Sequence, residues 1–209
     1  MTPITNTPHL ADWAVAQKAT PGQTVSGDLH LVQPHERGLL LAVVDGLGHG
    51  PEASRVAAIA VDALRQQPGD SVHALTKRCH TALAQTRGVV MTLASLDTVD
   101  RTITWCGVGN VEARLFRAEA GGTTLPESAL LRGGTVGSQL PVLYASVIPV
   151  NPGDVLIMAS DGIRPDYEHD VPVKSPPQRI ADHLLQKSLK GSDDALVLVA
   201  RFNGTNHAA

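Results

Sequence analysis

The sequence predicts an α+β fold in which helices cover layered antiparallel sheets. Three observations support this class: strand-length apolar runs dominate the 209-residue chain, two helical segments follow one another directly, and one further helix precedes the last strand. A parallel α/β fold would instead alternate strands and helices along the chain. We therefore expect a layered sandwich, built as one domain over residues 1–209.

Nine stretches have the short apolar or alternating pattern of β-strands. The turn sequences "DTVDR" at 97–101 and "VNPGD" at 150–154 separate neighbouring runs and predict hairpins. Between residues 117 and 141, two Gly-Gly pairs and two prolines predict turns around a short additional strand near Leu130. The nine predicted strands cover 13–17, 29–33, 38–44, 89–97, 102–108, 111–117, 142–148, 155–159 and 195–202.

Three segments have the apolar period of amphipathic helices. The first begins at Pro51, a residue that suits an early helical position, and ends before a Pro-Gly-Asp turn. The second covers 71–86. The third begins near Ser175, a possible N-cap, and ends before Gly191.

Composition excludes several classes of protein. A formal net charge of -3 provides no broad basic field, so we expect neither a nucleic-acid partner nor an anionic membrane partner. No apolar run approaches the roughly 20 residues that span a bilayer, and the N-terminus lacks a secretory signal, so we expect a cytoplasmic location. Cys79 and Cys106, the only cysteines, are too few for a disulfide framework or a thiolate zinc site.

Aspartates stand at the ends of four predicted strands. The run "LLLAVVDGLGHGPEAS" at 39–54 leads into Asp45, and "VLIMASDGI" leads into Asp161. Asp28 and the pair Asp193-Asp194 begin two other apolar runs. One Asp-Gly alone predicts only a turn. If the four ends converge, however, their carboxylates would repel one another and require cations, and oxygen ligands of this kind suit Mg²⁺ or Mn²⁺. A separation of more than about 10 Å would exclude a shared two-metal site, whose ions lie roughly 4 Å apart.

Several motifs together resemble the bacterial protein phosphatase 2C-like (PPM) enzymes, and most closely their SpoIIE and RsbX branch. These motifs occur in the family's order over about residues 10–203: "SGD", "VVDGLGHG", "GVGN", "TVGSQL", "GDVLIMASDGI" and "SDDALVLVARF". The resemblance implies an α-β-β-α sandwich of two antiparallel sheets flanked by helices. It also implies a serine/threonine protein phosphatase that uses two Mn²⁺ or Mg²⁺ ions.

The same resemblance assigns the metal-binding positions. Asp45 matches the ligand that bridges both ions, and the carbonyl of Gly46 matches a ligand of the second ion. Asp194 falls on a variable position, so a supporting role at most is expected for it. The implied metal ligands are Asp28, Asp45, Gly46, Asp161 and Asp193.

The implied reaction is direct attack of a metal-bound water on a phosphoserine or phosphothreonine, without a phosphoenzyme. Histidine is a common general acid, which makes His49 a candidate, but it stands two residues further from the Asp-Gly pair than the histidine of eukaryotic relatives. It therefore either donates the proton to the leaving group or only orders the loop and starts the helix. No arginine matches the family's phosphate-binding arginine, and Arg164 is a substitute candidate.

The short chain resembles stand-alone RsbX-like phosphatases. Their substrates are phosphorylated STAS-domain proteins of stressosomes and sigma-factor partner switches, so such a protein is the expected partner. Three alternatives remain: a catalytically weak module that binds a phosphoprotein, a hydrolase of small phosphate esters, and a purely structural domain whose Asp-Gly pairs are turns.

Overall fold

The computed structural model describes residues 10–119 and 125–204. These residues form eleven strands and three α-helices, joined by loops. The strands are β1 (Ala11–Lys18), β2 (Asp28–His35), β3 (Gly38–Gly46), β4 (Val89–Asp97), β5 (Thr102–Val108), β6 (Glu112–Phe116), β7 (Glu127–Ser128), β8 (Leu131–Arg132), β9 (Ser146–Pro149), β10 (Val155–Ala159) and β11 (Ala195–Phe202). The helices are α1 (Gly50–Arg65), α2 (Val72–Ala82) and α3 (Pro177–Ser188).

The strands form two sheets. The first has the order β1-β11-β10-β6-β7, and the second has the order β2-β3-β4-β5-β8, with β9 also pairing with β5. All pairings are antiparallel except the two-residue contact between β5 and β8. The chain enters and leaves the first sheet several times, so residues distant in sequence meet at the ends of its strands.

Three apolar layers hold the sandwich together. On β3, Leu40, Ala42 and Val44 pack beneath α1 and α2, while the alternate residues Leu39, Leu41 and Val43 pack against the first sheet. A third cluster lies between the first sheet and α3. Because both faces of β3 are covered, its sequence is a continuous apolar run instead of an alternating one.

The predicted fold class is confirmed: the structure is an α+β sandwich with helices on both outer faces. Most predicted strands match within two residues, but the segment predicted at 142–148 forms a strand only over β9. α2 ends four residues earlier than predicted. Ser175 does not cap α3, because Pro176 occupies the N-cap position.

The turn at 150–154 is present, but it does not connect a hairpin. Asp154 N–H donates to the Asn151 carbonyl (3.1 Å), while the flanking strands β9 and β10 belong to different sheets. By contrast, the turn at 97–101 joins the antiparallel pair β4 and β5, as predicted.

The first Gly-Gly pair, at 121–122, lies outside the described residues, and the single-domain boundary of 1–209 remains a prediction. Within the described ranges, none of the helices has the length and apolar character that crossing a membrane requires.

Candidate metal centre and active site

The pairing of β2 with β3 brings two of the predicted ligands face to face. Asp28 is the first residue of β2 and lies directly opposite Asp45, near the end of β3. Directly opposed residues in an antiparallel pair project their side chains to the same face of the sheet, a few ångströms apart. Asp28 is buried, and one of its carboxylate oxygens accepts a 2.6 Å hydrogen bond from the hydroxyl of Ser160.

The Asp45 carboxylate lacks a compensating cation and a hydrogen-bond donor among the described residues. Burial and repulsion by Asp28 and the other aspartates raise its pKa to about 8. Burial likewise raises the pKa of Asp28 to about 7, against the lowering effect of the Ser160 hydroxyl. Two carboxylates with raised pKa values at adjacent positions form a site that a cation would stabilise.

Two further predicted ligands, Asp161 and Asp193, come from the first sheet. Asp161 follows β10, and its carboxylate accepts a 2.8 Å hydrogen bond from the side-chain amide of Asn110. Its pKa is raised by burial and by the nearby Asp193. Asp193 is exposed in the loop before β11, and it accepts a 2.8 Å hydrogen bond from the backbone N–H of Asp194.

An open cleft with a volume of about 550 Å³ lies between the ends of the two sheets. Three predicted ligands, Asp45, Asp161 and Asp193, line the cleft, and Asp28 faces Asp45 from β2. The cleft is also lined by His49, Asn110 and Ser192, together with Leu47, Gly48, Val90, Gly109 and Gly133.

The donor atoms of the cleft suit a hard divalent cation. Within residues 10–119 and 125–204, no three acidic, histidine or cysteine side chains are close enough to enclose an ion by themselves. Magnesium and manganese usually keep several waters and take only one or two carboxylates each, so an open set of aspartates and a backbone carbonyl fits them. A structural Zn²⁺ site, by contrast, would require a closed set of four ligands.

Gly46 is required where the chain leaves β3 and enters the loop that leads to α1. A Cβ at this position would overlap the backbone carbonyl of Ala53 in α1, so only glycine allows the helix to pack this closely. The Gly46 carbonyl oxygen points towards β2, where it lies 3.4 Å from the position that a Cβ on Gly27 would occupy. Gly27 immediately precedes Asp28, so the Gly46 carbonyl lies next to the start of β2.

Asp194 anchors the loop that precedes Asp28. One carboxylate oxygen accepts hydrogen bonds from the backbone N–H (2.7 Å) and the hydroxyl (3.0 Å) of Thr20. The other accepts a 2.7 Å hydrogen bond from the backbone N–H of Gly27. Since both oxygens are engaged, this buried side chain holds the start of β2 in place.

His49 lines the cleft, is exposed, and occupies the N-cap position of α1 without making a side-chain capping hydrogen bond. This position is compatible with both roles considered for it. Arg164 is not among the residues that line the cleft, and its guanidinium donates to the backbone carbonyl of Lys187, at the end of α3. A contact between Arg164 and a phosphate in the cleft is therefore not supported.

The sequence motifs did not identify Ser160 and Asn110 as residues of the site, although both lie inside the quoted motifs. Ser160 precedes Asp161 in "ASDG" and holds Asp28, while its hydroxyl also accepts a 2.9 Å hydrogen bond from the Leu196 N–H. Asn110 ends the "GVGN" motif and holds Asp161. Their positions in those motifs were the available signal, but their partners lie in other strands.

Comparison with known proteins identifies the family. The model of the family Stage II sporulation protein E (SpoIIE) matches residues 35–203, which include β3, the cleft and β11. The chain belongs to the SpoIIE family. This confirms the resemblance inferred from the sequence motifs.

A curated relative of this SpoIIE-family chain is the phosphoserine phosphatase RsbX of Bacillus subtilis (strain 168). The two are 24% identical over 193 residues, which cover 90% of this chain and 94% of the relative. The two proteins therefore match over nearly their whole lengths.

Solved structures share the fold. One similar chain comes from a structure described as "The bacterial stressosome: a modular system that has been adapted to control secondary messenger signaling". It is 28% identical to this chain and superposes with a TM-score of 0.82, over 91% of this chain and 99% of the other. RsbX in complex with magnesium superposes with a TM-score of 0.80 at 22% identity, over 92% of this chain and 96% of RsbX. The SpoIIE-family chain thus has the protein phosphatase 2C-like fold.

Proposed function

We propose that this protein is a metal-dependent phosphatase that hydrolyses phosphoserine or phosphothreonine in a protein substrate. The observation that carries the proposal is the register of β2 and β3, which places the carboxylates of Asp28 and Asp45 face to face at the cleft. Burial and the neighbouring aspartates raise their pKa values to about 7 and about 8. A site that concentrates negative charge in this way cannot bind a phosphate unless cations bind first.

Some residues of the cleft would bind the ions, and others would orient these ligands. Asp45, Asp28, Asp161, Asp193 and the backbone carbonyl of Gly46 would hold the divalent ions. Ions bound there would supply an activated water for in-line attack on phosphorus and neutralise the charge of the phosphoryl group. Ser160 and Asn110 orient the carboxylates of Asp28 and Asp161 through the hydrogen bonds described above.

The proposed substrate is a phosphorylated STAS-domain protein of a stressosome or a sigma-factor partner switch, in the cytoplasm. The supporting observation is similarity over nearly the whole chain to RsbX, a phosphoserine phosphatase, and to a chain from a stressosome structure. The open shape of the cleft also suits a phosphorylated residue presented on a protein surface.

The test is phosphate release from phosphoserine and phosphothreonine STAS-domain proteins, measured with and without Mn²⁺ or Mg²⁺. We expect release that requires metal and that is lost in Asp45→Asn. The exposed Asp62 on α1 is ion-paired with Arg65, and Asp62→Asn provides a matched control that should keep full activity.

Phosphate release from small esters, binding of the phosphoprotein and binding of Mn²⁺ separate the alternatives. A small-ester hydrolase would turn over p-nitrophenyl phosphate faster than any phosphoprotein. A phosphoprotein-binding module would bind its partner without releasing phosphate. A purely structural domain would bind no Mn²⁺. Any of these results would contradict the proposed function, as would a covalent phosphoenzyme detected during turnover.

A further inference from the structure

Two neighbouring residues after α2 hold the backbone of Leu47 from both sides. The Leu47 N–H donates to the carbonyl of Gly88 (3.2 Å), and the Leu47 carbonyl accepts a hydrogen bond from the guanidinium of Arg87 (3.2 Å). Leu47 follows directly after Gly46 in the loop that enters the cleft. The orientation of both peptide groups around Leu47 is therefore set by the dipeptide 87–88.

The first of these peptide groups contains the proposed metal ligand of the backbone. The carbonyl of Gly46 and the N–H of Leu47 belong to one planar trans peptide, so they point in opposite directions. The N–H points towards Gly88 on the β4 side, and the carbonyl points towards Gly27 on the β2 side. A rotation of the 46–47 peptide away from Gly88 would turn the Gly46 carbonyl from its present direction, and the hydrogen bond from Arg87 restrains the adjoining 47–48 peptide.

Glycine is required on both sides of this contact. Gly48 has φ +99°, and a Cβ there would lie 2.6 Å from a guanidinium nitrogen of Arg87. Gly88 has φ +83°, and a Cβ there would lie 2.7 Å from the carbonyl oxygen of Val136. The positive φ angles favour glycine at both positions, and at residue 48 the absence of a side chain leaves room for the guanidinium of Arg87 in its present position.

The segment that carries Arg87 is itself held in a defined turn. The hydroxyl of Thr86 donates to the carbonyl of Leu83 (2.7 Å) and accepts a hydrogen bond from the N–H of Gly88 (3.1 Å). Arg87 lies between these two hydrogen bonds, so its backbone is restrained even though its side chain is exposed. An arginine that served only solubility would not need this restraint.

We propose that Arg87 is a positioning residue that orients the Gly46 carbonyl towards a divalent cation by holding the Leu47 carbonyl. The inference rests on the proposed function, since it requires that a cation binds in the cleft. Arg87 acts through the backbone and touches neither the ion nor the substrate.

The charge of Arg87 makes the proposal easy to distinguish from simple electrostatics. A positive side chain near a cation site repels the ion, so removing it should tighten metal binding if charge alone mattered. Removing a residue that orients a ligand should weaken metal binding, and the loss of such outer partners typically lowers metal affinity 10- to 100-fold. The two explanations predict changes of opposite sign.

The experiment measures Mn²⁺ affinity from the electron paramagnetic resonance signal of free Mn²⁺, titrated into the metal-free protein. Arg87→Met removes the donor and keeps much of the aliphatic stem, and we expect one Mn²⁺ to bind about 10-fold more weakly. Arg87→Lys keeps the charge and a donor, and it should restore affinity to within about threefold of wild type. The matched control is Arg65→Met, because the exposed Arg65 pairs with Asp62 at the far end of α1, and its Mn²⁺ affinity should not change.

The outcomes separate this inference from the proposed function. Wild-type protein that binds no Mn²⁺ would overturn the proposed function and the inference with it. Wild-type binding with equal or tighter binding by Arg87→Met would overturn the inference alone. So would unchanged Mn²⁺ affinity with an increased KM, because Arg87 would then contact the substrate. Should Arg87→Met not fold, Arg87→Gln, which is shorter and uncharged, must weaken Mn²⁺ binding by a similar factor.

Discussion

Replacing Asp45 with asparagine should stabilise the metal-free protein at neutral pH. The folded structure raises the pKa of Asp45 from 3.8 to about 8, because the carboxylate is buried beside other aspartates. In the unfolded chain the same group ionises freely. Folding at pH 7 must therefore protonate Asp45 or bury its charge, and either costs free energy that an uncharged asparagine avoids.

The pKa sets the size of this effect. At pH 7 the solution is about 3 pH units above the unfolded pKa of 3.8, and each unit corresponds to about 1.4 kcal/mol. The free-energy cost of protonating Asp45 on folding is therefore at most ~4 kcal/mol. The asparagine amide must also lose water on burial. We therefore expect Asp45→Asn to raise the free energy of unfolding by about 1–3 kcal/mol at pH 7.

The sign of the pH dependence follows from the raised pKa. Because the folded state holds the proton more tightly than the unfolded chain, the stabilising contribution is present below the unfolded pKa of 3.8 and is lost as the pH rises towards about 8. The Asp45 carboxylate should thus cost the metal-free wild type less stability at pH 5 than at pH 7. Asp45→Asn should therefore shift the difference in stability between the two pH values in favour of pH 7, while Asp28, whose pKa is raised to about 7, still contributes with the same sign as Asp45.

The assay is urea unfolding in the presence of a chelator, at pH 5 and pH 7, for wild type, Asp45→Asn and the exposed control Asp62→Asn. Adding Mn²⁺ without chelator should then stabilise wild type much more than Asp45→Asn. The reasoning would be refuted by an Asp45→Asn protein that is no more stable than wild type at pH 7. A difference in stability between pH 5 and pH 7 that is the same in wild type and in Asp45→Asn would refute it as well.

Three further predictions concern other parts of the site and core. Gly46→Ala should destabilise the protein by about 2–4 kcal/mol in thermal or urea unfolding, because the new Cβ would overlap the Ala53 carbonyl; a neutral result would contradict the close packing of α1 on β3. Asp194→Ala should cost about 2–3 kcal/mol in urea unfolding and should weaken Mn²⁺ binding, since it leaves three donors of the 20–27 loop without their acceptor. Burial raises the pKa of the Cys79 thiol to about 12, so the native protein should resist alkylation of Cys79 at pH 8, whereas rapid labelling under native conditions would contradict its burial.

The sequence was sufficient for the fold class and for most of the strands and helices. Strand and helix periods depend on residues within a few positions of one another, and the continuous apolar run of β3 directly reflects burial on both faces. The weaker predictions concerned short or irregular segments. The strand expected at 142–148 is restricted to β9, and α3 begins after Pro176 without the Ser175 cap.

The chain by itself also determined which carboxylates stand at strand ends and, through its motifs, the family to which it belongs. Only the tertiary structure decided that Asp28 and Asp45 lie in register, because register depends on the pairing of two whole strands. The hydrogen bond from Ser160 to Asp28 crosses 132 residues of sequence, and the contacts of Asp194 with Thr20 cross 174. Such contacts arise where two stacked sheets place their strand ends side by side, and no local pattern of side chains encodes them.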